Sequence, residues 1–285
     1  MRPPSPSIPE RDFAFTALKQ SLRLDGRSLL EMRTPVLRFG PELGWVECVL
    51  GKTRTVAHVE AKMVKPLPER PFEGIITIQS ELSPMASPEY ESGRPSEEEV
   101  IITRMLDKVL RRSDAVDKES LCILAGQRAS FVWHLRMTLH FLADAGNLLD
   151  CACLAGIVAL KHFRRPDVEV IGDEVTVHPP LSRAPVPLSI NHTPFCLTFA
   201  FFSEPDTPPV LDPSQLEATL SSGTMTLSLN AQRELCVLQK AGGVPLAVDT
   251  ILRLVEVGVQ KVKELDLVVE EALREDWKGR RIEVR

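Results

Sequence analysis

The sequence predicts an α+β fold of two similar halves, each a run of strands followed by a helix. Three observations carry this reading. Runs rich in β-branched residues, punctuated by Gly and Pro, recur in both halves. Each set of runs leads into a stretch with helical spacing of apolar residues. Between the sets lies residues 148–163, apolar nearly all round, and a helix of that kind belongs at the centre of a domain.

The elements follow in order. Residues 9–20 read as a short amphipathic helix with Phe13, Phe15 and Ala17 on its apolar side. Strands are expected at 36–39, 45–50, 53–64 and 74–82, then a polar loop over 83–95 with Pro84, Pro88 and Pro95. Ser96 opens a helix, and Glu99 three residues on completes a capping box. Its apolar positions Val100, Met105, Leu106, Val109 and Leu110 keep helical spacing through Arg112. Strands at 121–127 and 131–142 lead to the turn Asp144-Ala145-Gly146-Asn147 and the central helix, which Arg164-Arg165-Pro166 closes. The second half offers strands at 168–171, 174–178, 195–203, 224–229 and 234–239, Pro-rich loops at 179–187 and 205–213, and a long helix over 246–277.

At 285 residues the chain can bury a sizeable core in one large or two small domains. Hydrophobic residues make up 44% and charged residues 26%, as in ordinary globular domains. A net charge of −5 excludes a protein coated in positive charge but leaves room for a local basic groove. No apolar run reaches membrane-spanning length, and the Pro-rich start is not expected to act as a signal peptide. The six cysteines are expected to be reduced and mostly buried. Cys151 and Cys153, two apart on a helix, point to different sides and cannot chelate together.

Generic catalytic motifs are missing. Gly51-Lys52-Thr53 looks like the end of a P-loop, but Gly44 lies six residues upstream where four are required, and a strand follows instead of a helix. The histidines show no metal-ligand spacing. His134 and His140 share a strand face, where solvated or hydrogen-bonded rings are the simpler reading. Gly146 before a helix N-terminus is a potential anion site, because the first N–H groups are unpaired and the helix dipole favours negative charge. The turn carries Asn147 and Leu148, with no Thr, Ser, Lys or Arg to hold a phosphate, which favours a structural strand–turn–helix. Arg104, Lys108 and Arg111, at i, i+4 and i+7, form a polar face opposite the apolar stripe, with Arg112 at the helix end. Two readings stand. One is a solvated face in which Asp107 pairs with Arg104 or Arg111; the other is a ridge that grips phosphates.

Several segments together resemble the RNase PH family, and more narrowly its exosome-ring branch. They are Leu22-Arg23-Leu24-Asp25-Gly26-Arg27 with Arg33 beyond; Gly51-Lys52-Thr53-Arg54-Thr55; and Asp144-Ala145-Gly146-Asn147-Leu148-Leu149-Asp150. With them go His162-Phe163-Arg164-Arg165-Pro166-Asp167-Val168, Gly172-Asp173-Glu174-Val175, Pro185-Val186-Pro187-Leu188-Ser189-Ile190, and Glu10-Arg11 with Phe13. The similarity runs from Glu10 to Trp277 in unbroken order.

The resemblance implies an RNase PH-like fold of two β–α halves with mixed sheets packed on helices. The expected organisation is an N-terminal arm over 1–29, a first domain over 30–165, a second with the terminal helix over 166–277, and a basic tail over 278–285. It implies a six-subunit ring of RNase PH-like exosome subunits in which two lineages alternate, with S1/KH-type cap proteins, single-stranded RNA and a separate hydrolytic nuclease as partners. Localisation in nucleus, nucleolus and cytoplasm is implied with it. Active members carry Gly-Thr-Arg or a close variant where this chain has Gly146-Asn147-Leu148, and further acid after the "L-D" strand where Ala218, Thr219 and Leu220 follow Glu217. The chain therefore resembles the inactive lineage: no catalytic residue, metal or cofactor is expected, and Asp212 beside Pro213 is read as a turn residue. In that lineage cations at positions matching Arg104, Lys108 and Arg111 face the central channel and touch RNA phosphates; Arg112 either joins them as an RNA-binding residue or only caps the helix end. The alternative is a phosphate-dependent 3′-to-5′ exoribonuclease subunit with a composite active site. Trp45, Phe72 and parts of the terminal helix are expected to lie exposed for partners.

Overall fold

The computed structural model describes residues 6–91, 93–125, 130–172, 174–179, 182–204 and 207–280. The far end of the expected 121–127 strand and residues 281–285 of the expected tail lie outside them. In chain order come α1 (Ile8–Lys19), β1 (Pro35–Phe39), β2 (Trp45–Leu50), β3 (Thr53–Val64), β4 (Ile75–Leu82) and α2 (Glu97–Leu106). A π-helical turn, Asp107–Arg112, prolongs α2, and a 3-10 turn, Glu119–Leu121, precedes β5 (Cys122–Ala125). Then follow β6 (Ser130–Ala143), α3 (Leu148–His162), β7 (Arg164–Arg165), β8 (Val168–Ile171), β9 (Glu174–Val177), β10 (Val186–Pro187) and β11 (Phe195–Phe201). The chain closes with β12 (Val210–Leu211), α4 (Gln215–Leu220), β13 (Gly223–Leu229), β14 (Leu235–Gly242) and α5 (Val248–Gly279).

The first sheet has order β1-β2-β3-β6-β4, with β5 also on β6; β4 runs parallel to β6 and the other pairs are antiparallel. Alternation along β6 sorts its two faces. Trp133, Leu135, Met137, Leu139 and Phe141 point into the core, while His134, Arg136, Thr138 and His140 lie on the opposite, wetter face. There His134 meets the Thr77 hydroxyl at 2.9 Å and His140 the Glu81 carboxylate at 3.1 Å, so both rings are partnered surface groups. The second sheet, β12-β11-β13-β14, is antiparallel.

Helix α3 packs against β2, β3 and β6 of the first sheet and β11 of the second. Its apolar sequence needs cover on every side, and only the space between two sheets provides it. Cys151 points to the Cys48 carbonyl of β2 and Cys153 to the Pro194 carbonyl before β11, on different sides as their spacing predicts. All six cysteines are unbridged; Cys48, Cys151, Cys153 and Cys196 are buried. Helix α5 buries Leu254, Gly258, Val262, Leu265, Val269 and Leu273 at helical spacing, packing on β11 and β13 of the second sheet and on α3 and β1. Gly258 keeps that approach close: a Cβ there would stand 2.8 Å from Leu229 Cδ1, and the leucine side chain would have to shift.

Four local expectations need correction. Helix α1 buries Ala14, Phe15 and Leu18 against Ala200, Phe202 and Val210, and leaves Phe13 65% exposed. Trp45 is half-buried over Gly40, whereas Phe72 is indeed 63% exposed. The α2 box is half made among the described residues: Ser96 accepts from the Glu99 N–H at 3.1 Å without a return bond. The last turn through Arg112 is π-helical, not α-helical.

Candidate nucleic-acid interface

Three long-range partners bring the site together. The arm after α1 carries Arg23, Arg27 and Arg33; the β6–α3 turn carries Gly146 and Asn147; the β12–α4 turn carries Asp212. Gly146, at φ +89°, presses the two turns into contact: a Cβ there would meet Ser214 and Gln215 backbone atoms at 2.5 Å. Only glycine allows both that conformation and that approach.

Asp212 is fully buried, with φ +52°. Its Oδ2 accepts from Arg27 Nη1 at 2.8 Å, and from the Arg33 backbone N–H at 3.0 Å and Nε at 2.8 Å. Its Oδ1 accepts from Arg33 Nη2 at 2.7 Å and Asn147 Nδ2 at 2.6 Å. Burial alone would raise this carboxyl, but Arg33 outweighs it and holds Asp212 below the usual carboxylate range. Reading it as a plain turn residue was therefore incomplete: the turn is real, and its side chain ties arm, turn and second sheet together. Arg23, also buried, forks onto Glu217 through Nε and Nη2 at 2.9 and 2.6 Å and donates to the Leu211 and Asp212 carbonyls. Thr53 joins from the β2–β3 turn, donating to the Gly146 carbonyl at 2.8 Å, so the Gly51-Lys52-Thr53 element serves the hub through Thr53 and opens no helix.

Asp150, in the first turn of α3, accepts from the Thr198 N–H and hydroxyl at 2.8 and 2.7 Å and from Asn147 at 2.8 Å. Burial pushes its carboxyl up to about 6. Two of the protein's own carboxylates thus occupy the start of α3, where the dipole would favour a bound anion. The three arginines of the arm are matched by Asp25, Asp212 and Glu217, so the cluster holds no surplus cation for phosphate.

Beside this hub a cleft of about 230 Å³ opens between α2, the start of α3 and β13–β14. Ile101, Met105, Leu148, Leu149, Pro213 and Ala218 give it an apolar wall, and Glu98 is its one charged group. From its mouth Ile101, Arg104 and Lys108 run along the exposed side of α2 at i, i+3 and i+7. Arg104 makes no hydrogen bond or ion pair among the described residues, while Lys108 donates to Gln239 of β14 at 3.0 Å. Arg111 and Arg112 both close on Asp107, Arg112 at 3.1 Å. A π turn brings residues i and i+5 into line, which is how one carboxylate reaches both. The four expected cations therefore fall into two sorts: Arg104 and Lys108 free of acid, Arg111 and Arg112 sharing one. Arg112 also lines a concavity of about 480 Å³ with Arg70 and Lys118, which the sequence did not single out, but Glu73, Asp114, Asp117 and Glu119 line it too, and Arg70 pairs with Glu73 and Lys118 with Asp114. Isolated single cations on separate loops carry no periodic signal. Among the described residues no group of His, Cys, Asp or Glu is arranged to hold a metal, and no helix is long and apolar enough to cross a membrane.

Comparison with known proteins agrees with this architecture. Residues 31–166 match domain 1 of the 3′ exoribonuclease family and residues 192–261 its domain 2. The chain is 43% identical over 270 residues to the Schizosaccharomyces pombe protein "Exosome complex component rrp45", covering 95% of this chain and 91% of that one. It is 42% identical over 272 residues to human "Exosome complex component RRP45", but spans only 61% of that longer protein. Among solved structures it is similar to a chain of the Archaeoglobus fulgidus exosome with RNA bound to the active site, at TM-score 0.77 and 28% identity, covering 90% of this chain and 96% of that chain. With both domains matched in order and the relatives aligned along nearly its whole length, this chain belongs to the 3′ exoribonuclease family of RNase PH-like proteins.

Proposed function

We propose that this chain is a non-catalytic, RNA-guiding subunit of an RNA exosome ring, built in with other RNase PH-like subunits. It supports 3′-to-5′ RNA processing and degradation by holding the ring and steering single-stranded RNA toward a separate hydrolytic nuclease, beneath S1/KH-type cap proteins, in nucleus, nucleolus and cytoplasm. One observation carries the non-catalytic part: the arginines beside the start of α3 are spent on the protein's own carboxylates, with Asp212 taking Arg27 and Arg33, and Glu217 taking Arg23. Phosphorolysis needs cations around inorganic phosphate, and a cleft whose one charged side chain is Glu98 supplies none of its own. The assembled ring, given RNA and phosphate, is expected to release no nucleoside diphosphate from this subunit. Release that persists when its ring neighbours' centres are inactivated overturns the reading.

The guiding part rests on Arg104 and Lys108, whose charges meet no carboxylate among the described residues. Arg111 and Arg112 contribute less, because Asp107 cancels one of their two charges. Reversing both free cations, Arg104→Glu with Lys108→Glu, is expected to weaken single-stranded RNA binding by the ring about tenfold or more and flatten its salt dependence. Ring assembly should be untouched. Titration of labelled RNA at two salt concentrations checks this; unchanged affinity and slope would remove Arg104 and Lys108 from the RNA path.

A further inference from the structure

The chain has one tyrosine, Tyr90, in the loop between β4 and α2. Its ring packs against the core, and its hydroxyl lies between two carboxylates: Glu98 Oε2 at 2.9 Å and Asp144 Oδ2 at 3.0 Å. Glu98 stands in the first turn of α2 and Asp144 in the β6–α3 turn. Asp144 is already engaged elsewhere, its Oδ1 accepting the Gly146 N–H at 2.9 Å and its own N–H donating to the Ala86 carbonyl at 3.2 Å. The loop is thus stapled to the β6–α3 turn twice, once by backbone and once by the phenol.

Counting protons exposes a deficit. A phenol has one hydrogen to donate, and ionised carboxylates only accept. With Glu98 and Asp144 both charged, one of the two short contacts has no hydrogen in it and two anions crowd one oxygen. One further proton cures this: Glu98 donates to the Tyr90 oxygen, and Tyr90 donates to Asp144. Glu98 is the place for it. Asp144 is held as an acceptor by a backbone N–H, whereas Glu98, an exposed residue at the edge of the cleft, faces Asp144 and Glu89 from other elements, Glu97 and Glu99 beside it on its own, and neutral side chains across the cleft.

We infer that Glu98, Tyr90 and Asp144 form a one-proton latch that fastens residues 83–91 over the β6–α3 turn when the proton is bound and loosens them when it leaves. Desolvation raises the Glu98 carboxyl, the Tyr90 hydrogen bond pulls it down, and the charges of Asp144 and Glu89 leave it raised, the direction the latch needs; the phenol is raised too, so it keeps its hydrogen throughout. Because Glu98 borders the apolar cleft and heads the helix bearing Arg104 and Lys108, the latch also sets how firmly that helix start is held.

The single tyrosine makes the test direct. In the full chain, amide exchange at residues 86–91, corrected for intrinsic pH dependence, is expected to rise about tenfold between pH 4.5 and 8. Glu98→Gln, which carries a donor at every pH, should keep exchange slow across the range; Tyr90→Phe, which keeps the ring, should make it fast across the range. A selectively labelled Tyr90 ring carbon should titrate in the parent and stay flat in Glu98→Gln. Exchange that is independent of pH in the parent, or a Glu98→Gln variant that titrates like the parent, overturns the latch.

Discussion

Replacing Asp212 with asparagine is expected to lower the unfolding free energy by about 3–5 kcal/mol, the range for breaking a buried, hydrogen-bonded ion pair from one side. Asparagine fits the space and can still accept at one oxygen, so the loss reports charge. Arg33, its side chain only 13% exposed, would lose its counter-ion, and Arg27, 12% exposed, would keep Asp25 alone. The damage should be shared by three segments, since the same carboxylate holds the arm, the Asn147 turn and the β12–α4 turn. Arg33→Met alone should cost less, because Arg27 still neutralises Asp212. The double variant should cost clearly less than the sum of the two, as expected for residues in one network. Urea unfolding of the four proteins measures this. A loss below about 1 kcal/mol for Asp212→Asn would mean that solvent screens the cluster as it screens a surface pair.

That cluster also marks where sequence reasoning stops. Alternation along β6 and the apolar run of α3 are local patterns, so both elements lie within a residue or two of their expected bounds. Asp212 offers only its neighbour Pro213, which says "turn" and nothing of burial; its partners Arg27, Arg33 and Asn147 are 185, 179 and 65 residues away. Helix α4 was overlooked although its signal was present, for Ser214 and Glu217 form a capping box. The π turn after α2 left no trace because α and π spacing share the same apolar positions over a single turn. Of the site, the family turn and the cations of α2 were legible as residues. Which cations stay free was not, because it depends on how Asp107 closes on Arg111 and Arg112.

The two ends of α3 are expected to answer acid in opposite directions, and to hide each other's response. His162 is fully buried at the end of α3, its ring 5.0 Å from that of Phe39 and 5.6 Å from that of Trp277. Its Nδ1 accepts from the Gly44 N–H at 3.1 Å, which leaves the proton on Nε2, 3.2 Å from Asp276. Burial, then the nearby Arg280, push it down to about 4 against a contrary pull from Asp276. A depressed histidine gives stability that is full above 6.5 and is lost as pH falls toward 4, about 3 kcal/mol in all. Asp150, raised by burial to about 6 from 3.8, does the reverse. The folded state holds that proton more tightly than the unfolded chain, so stability grows by about 3 kcal/mol as pH falls from 6 to 3.8 and is lost again as pH rises through 6. The windows overlap almost completely, and the parent protein should show little net slope between them. His162→Asn, whose Oδ1 can take the Gly44 N–H, should make the protein gain stability on acidification. Asp150→Asn, which can still accept from the Thr198 N–H, should make it lose stability over the same range. Subtracting each variant's urea-unfolding profile from the parent's cancels every other group, and parallel profiles for all three proteins would show that neither residue is held in the state its burial demands.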